Sequence, residues 1–172
     1  VNGTTVASGS ASLPINLAVG SGNVINVVVT AQDGTTIKSY SITVTRAASA
    51  NADLSSLTIS AGTLTPAFAT ATLTYTDAVP NATSSVTVTP TVADATATIK
   101  VNGTTVASGT PSSAIALSVG SGNVITVVVT AQDGSTTKTY AITVTRAASA
   151  NADLSSLTIS AGTLTPAFAT AT

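Results

Sequence analysis

The carboxylates are the side chains of this sequence best suited to bind a metal ion. Calcium takes about six to eight oxygen ligands, and several of them usually come from carboxylates. Asp94, Asp133 and Asp153 stand apart in the sequence, with no Asp-x-Asp spacing between them, and the chain contains no Glu. We therefore interpret these residues as turn and capping residues and not as a calcium site.

Catalytic groups are equally sparse. A glycosidase needs two carboxyl groups held close together, and a serine triad needs a His. The chain contains no His, Cys, Met or Trp, which excludes a triad, a thiolate site and a disulfide framework. The Gly-rich segment 120–123 lacks the Lys and the following helix of a phosphate loop, so we expect a turn there. The sequence assigns no catalytic, cofactor-binding or metal-ligating residue, and we expect neither an enzyme nor a cofactor.

Two lysines of the second half, Lys100 and Lys138, allow two interpretations. Either one could form an amide crosslink to an Asn, which would lower the intact mass by about one ammonia per repeat. The alternative is an outward Lys that discourages edge-to-edge pairing of sheets.

The remaining polar and aromatic motifs are weak signals for ligands. Asn2, Asn81 and Asn102 each begin an Asn-x-Thr glycosylation pattern, but Asn102 also precedes a Gly and fits a tight turn. Tyr75 and Tyr140 fall on apolar faces, which favours a place in the core over a sugar-stacking platform.

The overall composition narrows the classes of partner. Hydrophobic residues make up 44% of the chain, yet only 3% are aromatic and 6% are charged, and the formal net charge is −1. The charge provides no basic surface for nucleic acid or for an anionic membrane. No apolar run approaches the roughly 20 residues that span a bilayer, so we expect no membrane insertion in this segment.

A repeat with a period of 100 residues organises the chain. Residues 1–72 and 101–172 differ at only 11 of 72 positions, and the differences concentrate in 10–18 against 110–118. A period of this length predicts one domain per repeat. We place the boundaries after Arg46 and Arg146. The expected domains are the C-terminal part of one repeat (1–46), a complete repeat (47–146) and the N-terminal part of the next (147–172), and the array is expected to continue beyond both ends.

The complete repeat reads as a succession of short strands separated by turns. Apolar residues alternate with Thr and Ser, as expected for half-buried strands, and the run 124–132 is nearly all apolar, as expected for a central strand. Asn102-Gly103 predicts a type I′ turn, and Asp133-Gly134 predicts another hairpin. The predicted fold class is an all-β, immunoglobulin-like antiparallel β-sandwich in tandem, with about seven strands per repeat.

A set of motifs in this order resembles the cadherin-like β-sandwich repeats of bacterial surface proteins. The motifs are Leu54-Ser-Ser-Leu57, Gly62-Thr-Leu-Thr-Pro66-Ala-Phe68, Leu73-Thr-Tyr75, Val101-Asn-Gly103, Asn123-Val-Ile125, Thr130-Ala-Gln-Asp133-Gly134, Lys138-Thr-Tyr140 and Thr143-Val-Thr-Arg146. The resemblance implies an immunoglobulin-like sandwich, a tandem arrangement and an extracellular place on the cell surface. It carries no catalytic residues, and the carboxylates with which true cadherins bind calcium at their junctions are few here.

Three functions are compatible with these features. The leading expectation is a structural repeat of an extracellular surface fibre or adhesin stalk, acting as a spacer or filament shaft whose partners are neighbouring identical repeats. The second is a module that binds a glycan or host ligand through the variable patch, residues 10–18 and 110–118. The third is a subunit that polymerises when residues 147–172 of one chain complement residues 1–46 of the next. Such a junction would lack the counterpart of residues 73–100.

Overall fold

The computed structural model describes residues 1–169, and its secondary structure is entirely β. Within this range there is no helix, and so no helix that could cross a membrane. The eleven strands are β1 (Gly20–Thr30), β2 (Ile37–Arg46), β3 (Leu54–Ile59), β4 (Thr74–Val79), β5 (Ser85–Val86), β6 (Val88–Val92), β7 (Thr98–Val101), β8 (Thr104–Val106), β9 (Ile115–Ala116), β10 (Gly120–Thr130) and β11 (Thr137–Arg146).

Strands β3 to β11 form a two-layered sandwich. One layer is a five-stranded sheet in the order β4-β11-β10-β7-β8, and the other consists of the pairs β3-β6 and β5-β9. All pairs are antiparallel except β4 with β11, which is parallel over Thr74–Val79. The predicted sandwich class is confirmed. The sandwich has nine strands where about seven were expected, because Thr87 separates β5 from β6 and because the short strands β8 and β9 add to the count.

The core lies between the two layers, and on the long strands β10 and β11 it follows the period of two. Its inward residues on β10 are Ile125, Val127 and Val129, and those on β11 are Tyr140, Ile142 and Val144; each is at most 1% exposed. Leu54, Leu57, Tyr75, Val79, Val86, Val88, Ile99 and Val101 complete this core from the other strands. The predicted inward alternation is confirmed on β10 and β11. On β3 the buried residues Leu54 and Leu57 are three positions apart, because the register shifts between Leu54 and Ser56.

The turns follow the residues that favour them. Asn102 and Gly103 have φ angles of 46° and 83°, as a type I′ turn requires, and they join β7 to β8. The turn predicted at residues 120–123 is wrong in that these residues belong to strand β10. The register with β11 shifts between Gly120 and Asn123, and the Asn123 side chain donates to the Gly120 and Val144 carbonyls at 3.1 Å each. The segment is a β-bulge.

The first and last parts of the chain are not sandwiches. Strands β1 and β2 form a hairpin with the same pairing register as β10 and β11, but no third strand from the described part of the chain joins it. Residues 147–169 contain no strand. The domain boundaries at 46/47 and 146/147 stay predictions, and residues 170–172 of the expected third domain lie outside the described residues.

Candidate functional site

The place where the chain enters the sandwich is tied to β11 and to the β10–β11 turn. We call residues 49–54, which precede and begin β3, the leading segment. The Ser49 backbone N–H donates to the Gln132 side chain at 3.0 Å, and the Asp133 backbone N–H donates to the Ser49 carbonyl at 3.1 Å. Further along, the Leu54 backbone N–H donates to the Tyr140 hydroxyl at 3.0 Å in a buried position. The leading segment therefore runs beside β11 and in the same direction.

An ion pair joins the same two elements. The Lys138 ammonium contacts the Asp53 carboxylate, and the hydrogen bond to Asp53 raises the pKa of Lys138. The two side chains remain 40% and 30% exposed, so solvent screens the pair and its contribution to stability is small. Lys100 is exposed but lies on β7 between β10 and β8, so the interpretation as an edge-blunting residue is wrong for Lys100. Lys138 lies on the part of β11 that β4 does not flank, so the same interpretation stays a prediction for Lys138. The crosslink to an Asn stays a prediction.

The place where the chain leaves the sandwich is held at the other end of β11. Arg146 donates from Nε to the Asn81 carbonyl and from Nη1 to the Leu117 carbonyl, both at 2.9 Å. The Ala147 N–H donates to the Val79 carbonyl, and the Asn81 side chain donates to the Ala147 carbonyl, both at 3.0 Å. Four hydrogen bonds therefore fix the backbone up to Ala147. Asn81 thus has a structural role in addition to its place in a glycosylation pattern.

The two ends of the sandwich are separated by the length of β11. The chain enters beside Asp133, before the first residue of β11, and leaves after Arg146, its last residue. Ten residues at about 3.3 Å each extend about 33 Å. Consecutive sandwiches joined in this way would follow one another end to end.

Two of the acidic residues that were candidates for calcium, Asp94 and Asp133, accept hydrogen bonds from neighbouring hydroxyl and backbone N–H groups. The Thr136 hydroxyl and backbone N–H, and then the Ser135 N–H, lower the pKa of Asp133 to about 2. The Ser49 hydroxyl and the Thr96 donors lower the pKa of Asp94 to about 2 in the same way. Asp133 is thus an acceptor for its own turn, as predicted from sequence, whereas Asp94 accepts from its own loop and also from the leading segment. The Asp153 backbone N–H donates to the Asn151 side chain at 2.8 Å. Among residues 1–169, no three His, Cys, Asp or Glu side chains gather into a metal-binding group.

Asp77 is a buried polar residue whose burial the sequence analysis did not predict. It lies between Tyr75 and Val79 on β4, it is only 4% exposed, and its Oδ1 accepts the Thr63 N–H at 2.7 Å. Its Oδ2 finds no hydrogen-bond partner among residues 1–169. A Cβ atom at Gly62 would stand 2.0 Å from Oδ1. The period of two along β4 was the signal that could have placed Asp77 inside.

The two tyrosines considered as sugar platforms belong to the core. Tyr75 is 2% and Tyr140 0% exposed, which confirms the core interpretation. Phe68 stacks on Tyr75 with ring centroids 6.3 Å apart. It also lines an open cleft of about 270 Å³ between β3 and the segment 62–68, and the residues lining this cleft carry no charge.

The variable patch is partly built into the sandwich. Ser112 is 8% exposed and its backbone N–H donates to the Val88 carbonyl at 2.8 Å, while its hydroxyl accepts the Val88 N–H at 3.1 Å. Ile115 and Ala116 form β9 beside β5. Part of the patch 110–118 is therefore paired as a strand with β5 and is not a free loop.

The near-identical copies differ sharply in exposure. Tyr40 and Ile42 are 55% and 50% exposed, whereas their counterparts Tyr140 and Ile142 are both 0% exposed. In the last part of the chain Leu154 is 58% exposed, whereas Leu54 is 0% exposed. The first part of the chain thus exposes the counterpart of Tyr140, and the last part exposes the counterpart of Leu54. In the sandwich, Leu54 and Tyr140 contact each other and are buried.

The comparison with protein families agrees with this architecture. A family model described as a cadherin-like beta sandwich domain matches residues 1–47 and 54–147. No curated protein matches the chain.

Proposed function

Because the chain belongs to the family of cadherin-like β-sandwich domains, we propose that it is a structural spacer, repeated along a surface fibre or adhesin stalk outside the cell. The observation that carries this proposal is the path of the chain through the sandwich. It enters beside Asp133 and leaves after Arg146, at opposite ends of β11. Each added copy would therefore extend the polypeptide by about 33 Å or more.

The short link between repeats supports an extended form. Ala147 is bonded to the sandwich that it leaves, and Ser49 is bonded to the sandwich that it enters. Ser149 stands at the position of Ser49 in the next copy, so Ala148 alone separates two fixed positions. A link of one free residue restricts the angles between neighbouring sandwiches.

Small-angle scattering of polypeptides with two, four and six repeats tests the proposal. We expect the maximum dimension to rise in proportion to the number of repeats, by about 33 Å or more for each one. A version with eight Gly and Ser residues inserted after Ala148 of each repeat is the matched control, since a flexible linker relaxes the array. A maximum dimension that levels off as repeats are added would refute a spacer.

Assembly between chains is the second candidate function, and the exposed counterpart residues favour it. In the sandwich, Leu54 bonds Tyr140 and Asp53 contacts Lys138. Their counterparts Leu154 and Tyr40 are exposed, so residues 147–169 of one chain could cover β1 and β2 of another. Sedimentation velocity from low to high concentration tests this candidate. A single monomeric species throughout would exclude it.

Binding of a glycan or host ligand by the variable patch is the remaining alternative. The contacts of Ser112 with Val88 give this segment a packing role. Binding of a single repeat on a glycan array is the deciding measurement.

A further inference from the structure

Tension on the two ends of the sandwich would act on two elements, the leading segment with β3 and the last strand β11. The leading segment runs beside β11 in the same direction, from the contact of Ser49 with Asp133 to that of Leu54 with Tyr140. A pull that separates the two chain ends draws these elements past each other along their lengths. It does not peel either of them away from its neighbour.

The last strand has a paired neighbour on both sides over its second half. It pairs with β10 over its whole length and with β4 from Ala141 to Arg146. The hydrogen bonds of a ladder lie across the strands, or slanted to them in a parallel pair. A force along β11 therefore strains the bonds of both ladders at the same time, because no bond can break before its neighbours are loaded.

The leading segment and β3 are held in an equivalent way. β3 pairs with β6 from Leu54 to Ile59, and it anchors Leu54 and Leu57 in the core. The contact of Leu54 with the Tyr140 hydroxyl and the ion pair of Asp53 with Lys138 join it directly to β11. Sliding must break these contacts together with the β3–β6 ladder.

We propose that this sandwich is a load-bearing element, in which β3 and β11 resist axial tension through ladders loaded in shear. The inference rests on the proposed spacer function in one respect, since it assumes that tension reaches the sandwich through its two chain ends. An extended array could consist of mechanically weak domains, so load bearing is a separate property. Scattering measures extension, whereas the experiment below measures resistance to force.

The test compares two directions of pulling on the full chain in optical tweezers. The chain contains no Cys, so paired cysteines define the attachment points of the handles. The axial pair is Ala48→Cys with Ala148→Cys, at the two ends of the sandwich. The transverse pair is Thr74→Cys with Thr105→Cys, on the exposed faces of the edge strands β4 and β8. The axial event is recognised by its length, because 100 residues extend to roughly 330–360 Å.

We expect the transverse pair to unfold at about half the axial force or less, because transverse pulling strains the hydrogen bonds of the sheet one after another. The load-bearing proposal is overturned if the axial force equals the transverse force or falls below it at the same loading rate. Either result leaves the scattering test of the spacer unaffected.

A pair of matched variants distinguishes a specific contact from general stability. Tyr140→Phe removes the acceptor of the Leu54 N–H, whereas Tyr40→Phe changes the same residue type at an exposed position. We expect Tyr140→Phe to lower the axial force and to reduce the ratio of axial to transverse force, and Tyr40→Phe to leave both unchanged. An equal proportional loss in both directions would show that the Tyr140 contact supports the fold without bearing axial load, and would contradict its assigned role.

Discussion

A methyl group added at Gly62 should destabilise the sandwich far more than the same change at another glycine with a similar backbone conformation. Gly62 has a φ angle of 79°, and its added Cβ would stand 2.0 Å from the Asp77 Oδ1. The carboxylate cannot stay in place, and its hydrogen bond from the Thr63 N–H at 2.7 Å would be lost. Gly103 is the matched control. Its φ angle is 83°, and apart from its two chain neighbours no atom of the described residues lies within 4 Å of an added Cβ.

The expected magnitudes follow from two separate costs. A left-handed conformation costs about 1–2 kcal/mol for a residue with a Cβ, and this cost applies to Gly62→Ala and Gly103→Ala alike. Loss of the buried bond between Thr63 and Asp77 adds about 1–3 kcal/mol at Gly62 alone. We therefore expect a total of about 2–5 kcal/mol for Gly62→Ala, against about 1–2 kcal/mol for the control.

Urea unfolding at neutral pH measures both values, and a double variant tests the cause. In Gly62→Ala/Asp77→Ala the carboxylate is absent, so the steric conflict is removed and the two effects should fall short of additivity by about 1–2 kcal/mol. The reasoning is refuted if Gly62→Ala costs no more than Gly103→Ala. Strict additivity in the double variant would likewise show that Asp77 is not what the methyl group meets.

Three further changes test the turn, the ion pair and the core. The folded-state pKa of Asp133 is lowered from 3.8 to about 2. The ionised Asp133 therefore stabilises the fold fully above about pH 4, and this stabilisation is lost as the pH falls from about 4 to about 2. In Asp133→Asn, the urea midpoint should decrease less over this pH range than in the unchanged protein. Lys138→Gln should make unfolding less salt-dependent, because it removes the ion pair with Asp53, and Lys38→Gln is the neutral control. An unchanged salt dependence would show that this ion pair does not contribute to stability. Leu54→Ala should lower the unfolding free energy by about 2–5 kcal/mol in calorimetry, whereas Leu154→Ala, at an exposed position, should leave the sandwich transition where it is.

The inward faces of the strands were predictable because they follow from local alternation alone. The pattern around Tyr140, Ile142 and Val144 places three side chains on one face, and all three are fully buried. The Asn102-Gly103 turn was equally predictable, since both residues tolerate the positive φ that a type I′ turn demands. These features depend on residues close together in the sequence.

The features that could not be predicted depend on residues far apart. The parallel pairing of β4 with β11 leaves no signature in either strand, because alternation is the same for parallel and antiparallel neighbours. The contact of Asp53 with Lys138 joins residues 85 positions apart, and nothing in the local pattern of either one selects the other. Asp77 was missed for a different reason, since a carboxylate at a core position contradicts the average behaviour of charged residues.

The repeat itself shows how little the local sequence determines about burial. The hairpin of β1 and β2 keeps the register of β10 and β11, yet Tyr40 is exposed where Tyr140 is buried. A two-stranded hairpin is only marginally stable by itself, so what buries Tyr140 is the leading segment and β3 to β7, which precede it in the chain. The same contacts that bury Tyr140 connect the two ends of the sandwich. The segment that makes the core possible is therefore also the one that would transmit tension through it, so a variant that loosens the core at Leu54 should weaken the axial resistance as well.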